Sequence, residues 1–303
     1  MEINYFNRGK QQVEVEQVYG IKAVIWLYRS HFGKLLQRVL STAPISMMYG
    51  IFQDMYASHL KVQPFVKEFN LDLDDFLPEE GRSVNDPYST FNQFFIRRFK
   101  EGKRPFVDTK NIMPAFCEAR YFGYDQTGPD VQVPVKGKFL DANSLLAHAD
   151  WGDVFKEGPL LLARLCPVDY HRYHFPDNGH VLASYALHGA YHSVNPVALK
   201  ERPDIFATNE RHVTILKTEN FGKLAYIEVG AMCVGKIIQT YPDSHFNRGD
   251  EKGYFLFGGS TVIVIGEKGK WSPDKDILKS TNEGIETYLK LGESSANVNE
   301  LSH

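Results

Sequence analysis

The stretch "GYFLFGGSTVIVIG", Gly253 to Gly266, decides the fold. Aromatic and β-branched residues on both sides predict strand, while Gly258, Gly259, Ser260 and Thr261 interrupt it at the centre. One reading of the interruption is a β-bulge or a tight bend, because glycine inside a strand marks either one. The other is chemical. A serine directly after a glycine can turn its Oγ on the preceding carbonyl, and glycine tolerates the torsions such an attack requires. An N-to-O acyl shift, elimination to dehydroalanine and hydrolysis would then leave a ketone at a new N-terminus. A serine hydroxyl is a poor nucleophile at its free pKa, so this chemistry needs a base nearby.

Outward from that stretch, residues after Asn111 repeat its character. "PLLLARL", "HVLASYALHG", "RHVTILKT" and "KLAYIEVGAMCVGKII" are short apolar or alternating runs split by turn residues, with "DANSLLAHAD" read as an inserted helix. The pattern before it differs. From Val18 to about Lys67 apolar residues recur at three- and four-residue steps, with Pro44 as a break between two helices, and "FNQFFIRRFKEGKRPF" reads as a helix ending before Gly102. The fold class expected is α+β: an N-terminal helical region over residues 1–70, then a mainly antiparallel β body over residues 71–303.

The chain has 303 residues, 43% of them hydrophobic, enough for a real core. Its 34 basic and 37 acidic residues leave a net charge of -3, so no global field argues for nucleic acid as a partner. Three scattered cysteines, Cys117, Cys166 and Cys233, fit reduced thiols in a cytosolic setting and offer no CxxC pair for zinc. The opening residues lack a secretion-signal pattern, and no run reaches the roughly 18 apolar residues of a membrane span. Ile21 to Leu40, "IKAVIWLYRSHFGKLLQRVL", carries Lys22, Arg29, Lys34 and Arg38 among apolar residues at helical spacing. It can lie in a lipid interface or pack on its own domain.

Imidazole is supplied by "CPVDYHRYHFP", where His171 and His174 flank Arg172 and Tyr173. On a turn the two rings share a side, whereas on a strict strand they face opposite ways, and either can equally serve packing. His188 and His192 of "HGAYH" have a helix-like spacing for a metal, but Gly189 and the β-like flanks argue against it, and no metal is expected. Phe91, Phe94, Phe95 and Phe99 form an aromatic stripe, with Arg97, Arg98, Lys100, Lys103 and Arg104 able to meet phosphates. Core packing and a solvated face are the alternatives.

Taken together, the motifs resemble the phosphatidylserine decarboxylases. "GYFLFGGSTVIV" is similar to that family's C-terminal processing motif and "CPVDYHRYHFP" to its paired-histidine motif. "STFNQFFIRRFKEGKRPF", "VPVKGKF" with "SLLAH", "HSVNP", "FATNERH" and "GAMCVGKI" follow in the family's order, covering about Ser89 to Lys268. The resemblance implies self-cleavage between Gly259 and Ser260. It also implies a pyruvoyl group made from Ser260 at the head of residues 260–303, and a short chain that stays with the long one as a heterodimer. The pyruvoyl carbonyl would take the serine amine of phosphatidylserine as a Schiff base, release carbon dioxide and yield phosphatidylethanolamine. His174 matches the histidine that activates Ser260, and His171 the one assigned to decarboxylation. The third processing residue departs from the family pattern. Relatives carry an aspartate where "MPAFCEAR" offers Glu118, after two extra residues, with Asp125 and Asp169 as other carboxylates and Asp169 equally a turn residue.

For a lipid substrate, the segment carrying Phe91, Phe94, Phe95 and Arg97 is expected to meet its acyl chains or headgroup, and the protein is expected to sit peripherally on the cytoplasmic face of the cell membrane. Two other functions remain open to the residues alone. One is a pyruvoyl-dependent decarboxylase of a free amino acid, and the other a non-enzymatic β-rich binding module.

Overall fold

The computed structural model describes residues 3–17, 21–128, 141–202, 204–231, 236–258 and 260–299. Residues 133–139, Cys233, Gly259 and the side chains of Lys22, Lys34 and Arg38 lie outside the described set.

A ten-stranded sheet forms the body. From one edge to the other its strands are His245–Phe246, Gly179–Leu187, Arg211–Thr218, Lys223–Val229, Ser260–Gly266, Leu160–Leu165, Ala119–Tyr124, Glu286–Leu289, Asn4–Asn7 and Gln12–Val15. All neighbours are antiparallel except Asn4–Asn7 beside Glu286–Leu289. The mainly antiparallel β body is therefore present. Two three-stranded sheets accompany it: Ile237–Gln239, Glu251–Phe255 and Arg172–His174 in one, Trp271–Pro273, Ser294–Val298 and Ile112–Pro114 in the other.

The expectation of a helical N-terminal region needs a correction, because the chain starts with strands. Asn4–Asn7 and Gln12–Val15 pair as a hairpin, and the first of them adds to the main sheet against Glu286–Leu289. The helices come after: α1 (Ile21–Arg29), α2 (His31–Leu40), α3 (Ala43–Asp54, with proline in its first turn), a 3-10 turn at Tyr56–Lys61 and α4 (Val62–Glu68). The helix expected up to Gly102 is only α5 (Phe91–Phe95), started by the Thr90 side chain accepting from Gln93 N at 3.1 Å. Beyond Phe95, tertiary bonds replace helical ones: Arg97 reaches the carbonyls of Phe94, Val168 and Asp169, and Phe99 bridges to Phe76. "DANSLLAHAD" forms two short helices, Ala142–Leu146 and Ala149–Val154, parted by Ala147 at a left-handed φ of 48°.

The glycine interruption also finds its place. Glu251–Phe255 belongs to a small sheet, and Ser260–Gly266 lies in the middle of the large one. The chain changes sheets between them, through Gly258 at φ 147°, a conformation open to glycine and strained for other residues. Asn92 of α5 holds this crossing, its Oδ1 accepting from Phe257 N at 2.8 Å while its Nδ2 donates to Asp54 of α3.

Candidate active site

Ser260 opens the strand Ser260–Gly266, paired with Leu165 on one side, and is fully buried. Its Oγ has no hydrogen-bond partner among the described residues. A buried hydroxyl left unpaired costs about 1–3 kcal/mol, and a fold retains that cost where the group has another use. The site thus places a serine oxygen in a dry interior directly after the sheet-crossing turn.

The motif around Asp169 to His174 leaves the strand Leu160–Leu165 through a turn closed by Asp169 N donating to Cys166 O, then forms the short strand Arg172–His174. His171 lies just before this strand and His174 ends it, and the two imidazoles meet different surroundings. His171 is fully buried against the Phe95 ring, with centroids 3.7 Å apart. Its Nδ1 is 3.0 Å from the Asp169 carbonyl. A carbonyl only accepts, so Nδ1 carries the proton and Nε2 holds a lone pair, which has no partner among the described residues. Burial, assisted by the nearby Arg97 charge, pushes the His171 pKa down to about 3 against the pull of the Asp169 carbonyl.

His174 has both nitrogens engaged. Nδ1 donates to Gly249 O at 2.9 Å, so Nε2 accepts from the Tyr170 hydroxyl at 3.1 Å. Burial lowers its pKa too, with the Gly249 carbonyl opposing. Both rings are neutral and both present Nε2 as an acceptor, the form a general base needs.

Glu118 is placed elsewhere. Arg104 grips it through Nε at 2.5 Å and Nη2 at 3.0 Å, the Tyr288 hydroxyl donates to it at 3.1 Å, and Leu291 N at 3.3 Å. Among the described residues it is linked to His174 through a stack: Arg104 over Phe99, Phe99 against Tyr170, Tyr170 bonded to His174. Asp125 is exposed, and Asp169 is buried with Arg120. Neither imidazole bonds a carboxylate among the described residues. His188 and His192 do not converge, His188 facing Glu210 and His192 held between Gln37 and Arg202.

Phe91, Phe94 and Phe95 are all buried. Phe91 and Phe95 pack edge-on to Phe257, three residues before Ser260, and Phe95 joins that cluster to His171. Arg97 is buried with its guanidinium over the Phe76 and Phe94 rings. Sequence reasoning gave no role to Tyr170, though it lies inside the histidine motif. It also passed over Arg120, Glu16 and Glu286, which no local pattern marks.

A buried serine whose Oγ has no partner among the described residues opens a central strand, and the Phe257 and Phe95 rings link its segment to the buried imidazole of His171. The sequence model of the family described as phosphatidylserine decarboxylase matches residues 91–296. The chain is 39% identical over 294 residues to the phosphatidylserine decarboxylase proenzyme of Clostridium kluyveri, covering 96% of this chain and 98% of that one. It is 39% identical over 292 residues to the proenzyme of Clostridium tetani and over 293 residues to that of Desulfitobacterium hafniense, covering 96% of this chain and 97% of each. The chain belongs to the phosphatidylserine decarboxylase family.

Proposed function

We propose that this chain converts phosphatidylserine to phosphatidylethanolamine and carbon dioxide after cutting itself ahead of Ser260. The observation that carries the reading is the buried, unpaired Ser260 Oγ directly after the sheet-crossing turn, in a chain that matches proenzymes over nearly its full length. Attack of Oγ on the Gly259 carbonyl turns the peptide into an ester. Elimination frees residues up to 259 as a carboxylate, and hydrolysis of the dehydroalanine releases ammonia and leaves a pyruvoyl group on residues 260–303. Strand pairing on both sides of Ser260–Gly266 supports the two chains staying together as a heterodimer. The pyruvoyl group supplies a carbonyl that takes up the substrate amine and draws the electrons left by the departing carboxylate.

The chain's own residues do the rest. His174 is the base for the serine proton, its Nδ1 proton being held by Gly249, and its Nε2 must first give up the Tyr170 hydroxyl that it accepts from. Glu118 supports it indirectly, through Arg104, Phe99 and Tyr170. His171 holds or delivers the proton of the decarboxylation step at its bare Nε2. Phe91, Phe94 and Phe95 keep water out, which favours loss of a carboxylate as neutral carbon dioxide. Arg97 places a fixed positive charge behind His171.

A lipid substrate must be collected from a bilayer, and the helical head is suited to it. Trp26, Phe32, Leu35, Ile51, Phe52 and Met55 on α1 to α3 and the turn after them are exposed. Among the described residues no helix is long and apolar enough to cross a membrane, so the attachment proposed is peripheral, on the cytoplasmic face, in keeping with the free thiols of Cys117 and Cys166.

The test is carbon dioxide release from phosphatidylserine vesicles compared with free serine. Release from the lipid alone is expected. Release from serine alone would make the protein an amino-acid decarboxylase, and release from neither would remove the activity.

A further inference from the structure

Five charged side chains that the reaction above does not use are buried together: Glu16, Arg120, Arg164, Asp169 and Glu286. They come from the end of the first hairpin, three strands or turns of the body, and the strand Glu286–Leu289. Arg164 donates to Glu286 through Nε at 2.7 Å and also through Nη2, and to Glu16 through Nη1 at 3.2 Å and Nη2 at 2.6 Å. Glu16 Oε2 lies 3.1 Å from Arg120 Nε. Arg120 Nη1 donates to Asp169 Oδ2 at 2.6 Å, and Cys166 N donates to the same oxygen at 2.7 Å. The series ends on a backbone atom, the Asp169 carbonyl, which accepts from His171 Nδ1 at 3.0 Å and from Arg97 Nη2 at 3.2 Å.

Buried ion pairs are seldom a net gain in stability over well-packed apolar groups, so stability alone is a poor reason for five of them. What such a lattice does supply is fixed geometry. With its carboxylate held from two directions, Asp169 cannot rotate its peptide without breaking a charge-assisted bond in a dry interior. The carbonyl facing His171 is thereby fixed.

We propose that Asp169, clamped by Arg120 and through it by Glu16, is the positioning residue for His171. Its carbonyl keeps the ring proton on Nδ1 and leaves Nε2 bare. The effect on turnover rests on the assignment of His171 to decarboxylation, but the effect on the ring does not.

The experiment is long-range proton–nitrogen correlation on the full chain labelled with ¹⁵N-histidine, with His171 identified by its loss in His171→Gln. The unmodified protein should show His171 as one neutral tautomer, protonated at Nδ1. Asp169→Ala should add the Nε2-protonated tautomer and lower kcat roughly tenfold or more with little change in KM, while Asp169→Asn, which can still accept from Cys166 N and Arg120, restores most of both. If Asp169→Ala does not fold, Arg120→Gln reads the same clamp one residue further from the ring and should add the same tautomer. A folded variant of either kind that keeps the single Nδ1 tautomer overturns the proposal. Mixed tautomers with unchanged kcat would support the clamp and instead remove His171 from the decarboxylation step. A loss of melting temperature alone, with the tautomer unchanged, would reduce Asp169 to a structural residue and overturn it too.

Discussion

The helical head and the sheet body invert the usual distribution of side chains in opposite ways. The head leaves Trp26, Phe32, Leu35 and Phe52 in solvent, whereas the body buries Glu16, Arg120, Arg164, Asp169 and Glu286. Apolar side chains singly exposed are ordinary, but a run of them along consecutive helices is a surface without its partner. Buried charges are costly, and these are matched pair by pair. In the reading proposed above, the head meets a lipid surface and the body holds a few atoms still within itself.

The comparison breaks most visibly at His171. His171→Gln should leave self-cleavage complete and lower carbon dioxide release by about 10²-fold or more, as for loss of a general acid or base. Equal loss of both would merge the roles given to the two histidines. The head is tested by the combined Trp26→Ser, Phe32→Ser and Leu35→Ser variant, scored by vesicle flotation. Burying such a side chain fully contributes about 1.5–3 kcal/mol, so lipid binding should fall roughly tenfold or more while self-cleavage is untouched. Unchanged flotation would move the attachment elsewhere.

A smaller effect follows from pH. Burial lowers His171 to about 3, and burial with the Arg202 charge lowers His192 to about 4, from an ordinary value of 6.5. The unfolded chain therefore binds more protons than the folded one between those values. The stability these histidines contribute is complete above 6.5 and is lost as the pH falls toward 4 and then 3. The urea midpoint should drop between pH 7 and pH 5, and His171→Gln should flatten that drop. An unaltered slope would mean that His171 is not the buried neutral ring described. Smallest is Glu118→Gln, which should slow self-cleavage without stopping it, because among the described residues Glu118 is linked to His174 through a stack of rings. Full arrest would require direct contact.

Much of the body was legible because its strands are short apolar runs between turn residues. The sheet change at Gly258 was readable as a bend for the same reason. The first hairpin was not, since "NYFN" and "QVEV" are four-residue strands, and the first of them is held by Glu286–Leu289 near the other end of the sequence. The helix at Phe91 was overextended because periodicity does not register Arg97 taking carbonyls from another segment. The histidine pair and Ser260 stood out by local pattern. Glu118 stood out as well, but its partner Arg104 is fixed by tertiary packing, and spacing cannot give that. Arg120, Arg164 and Glu286 look like ordinary strand charges until the sheet brings their rows together.

The most direct measurement is the intact mass of the purified protein under denaturing conditions, beside Ser260→Ala. The account predicts two chains for the unmodified protein, divided between Gly259 and Ser260, with the shorter one carrying a carbonyl that borohydride reduces. It predicts one uncut chain of 34.6 kDa for the variant. A single chain in both, or a cut that survives Ser260→Ala, would contradict it.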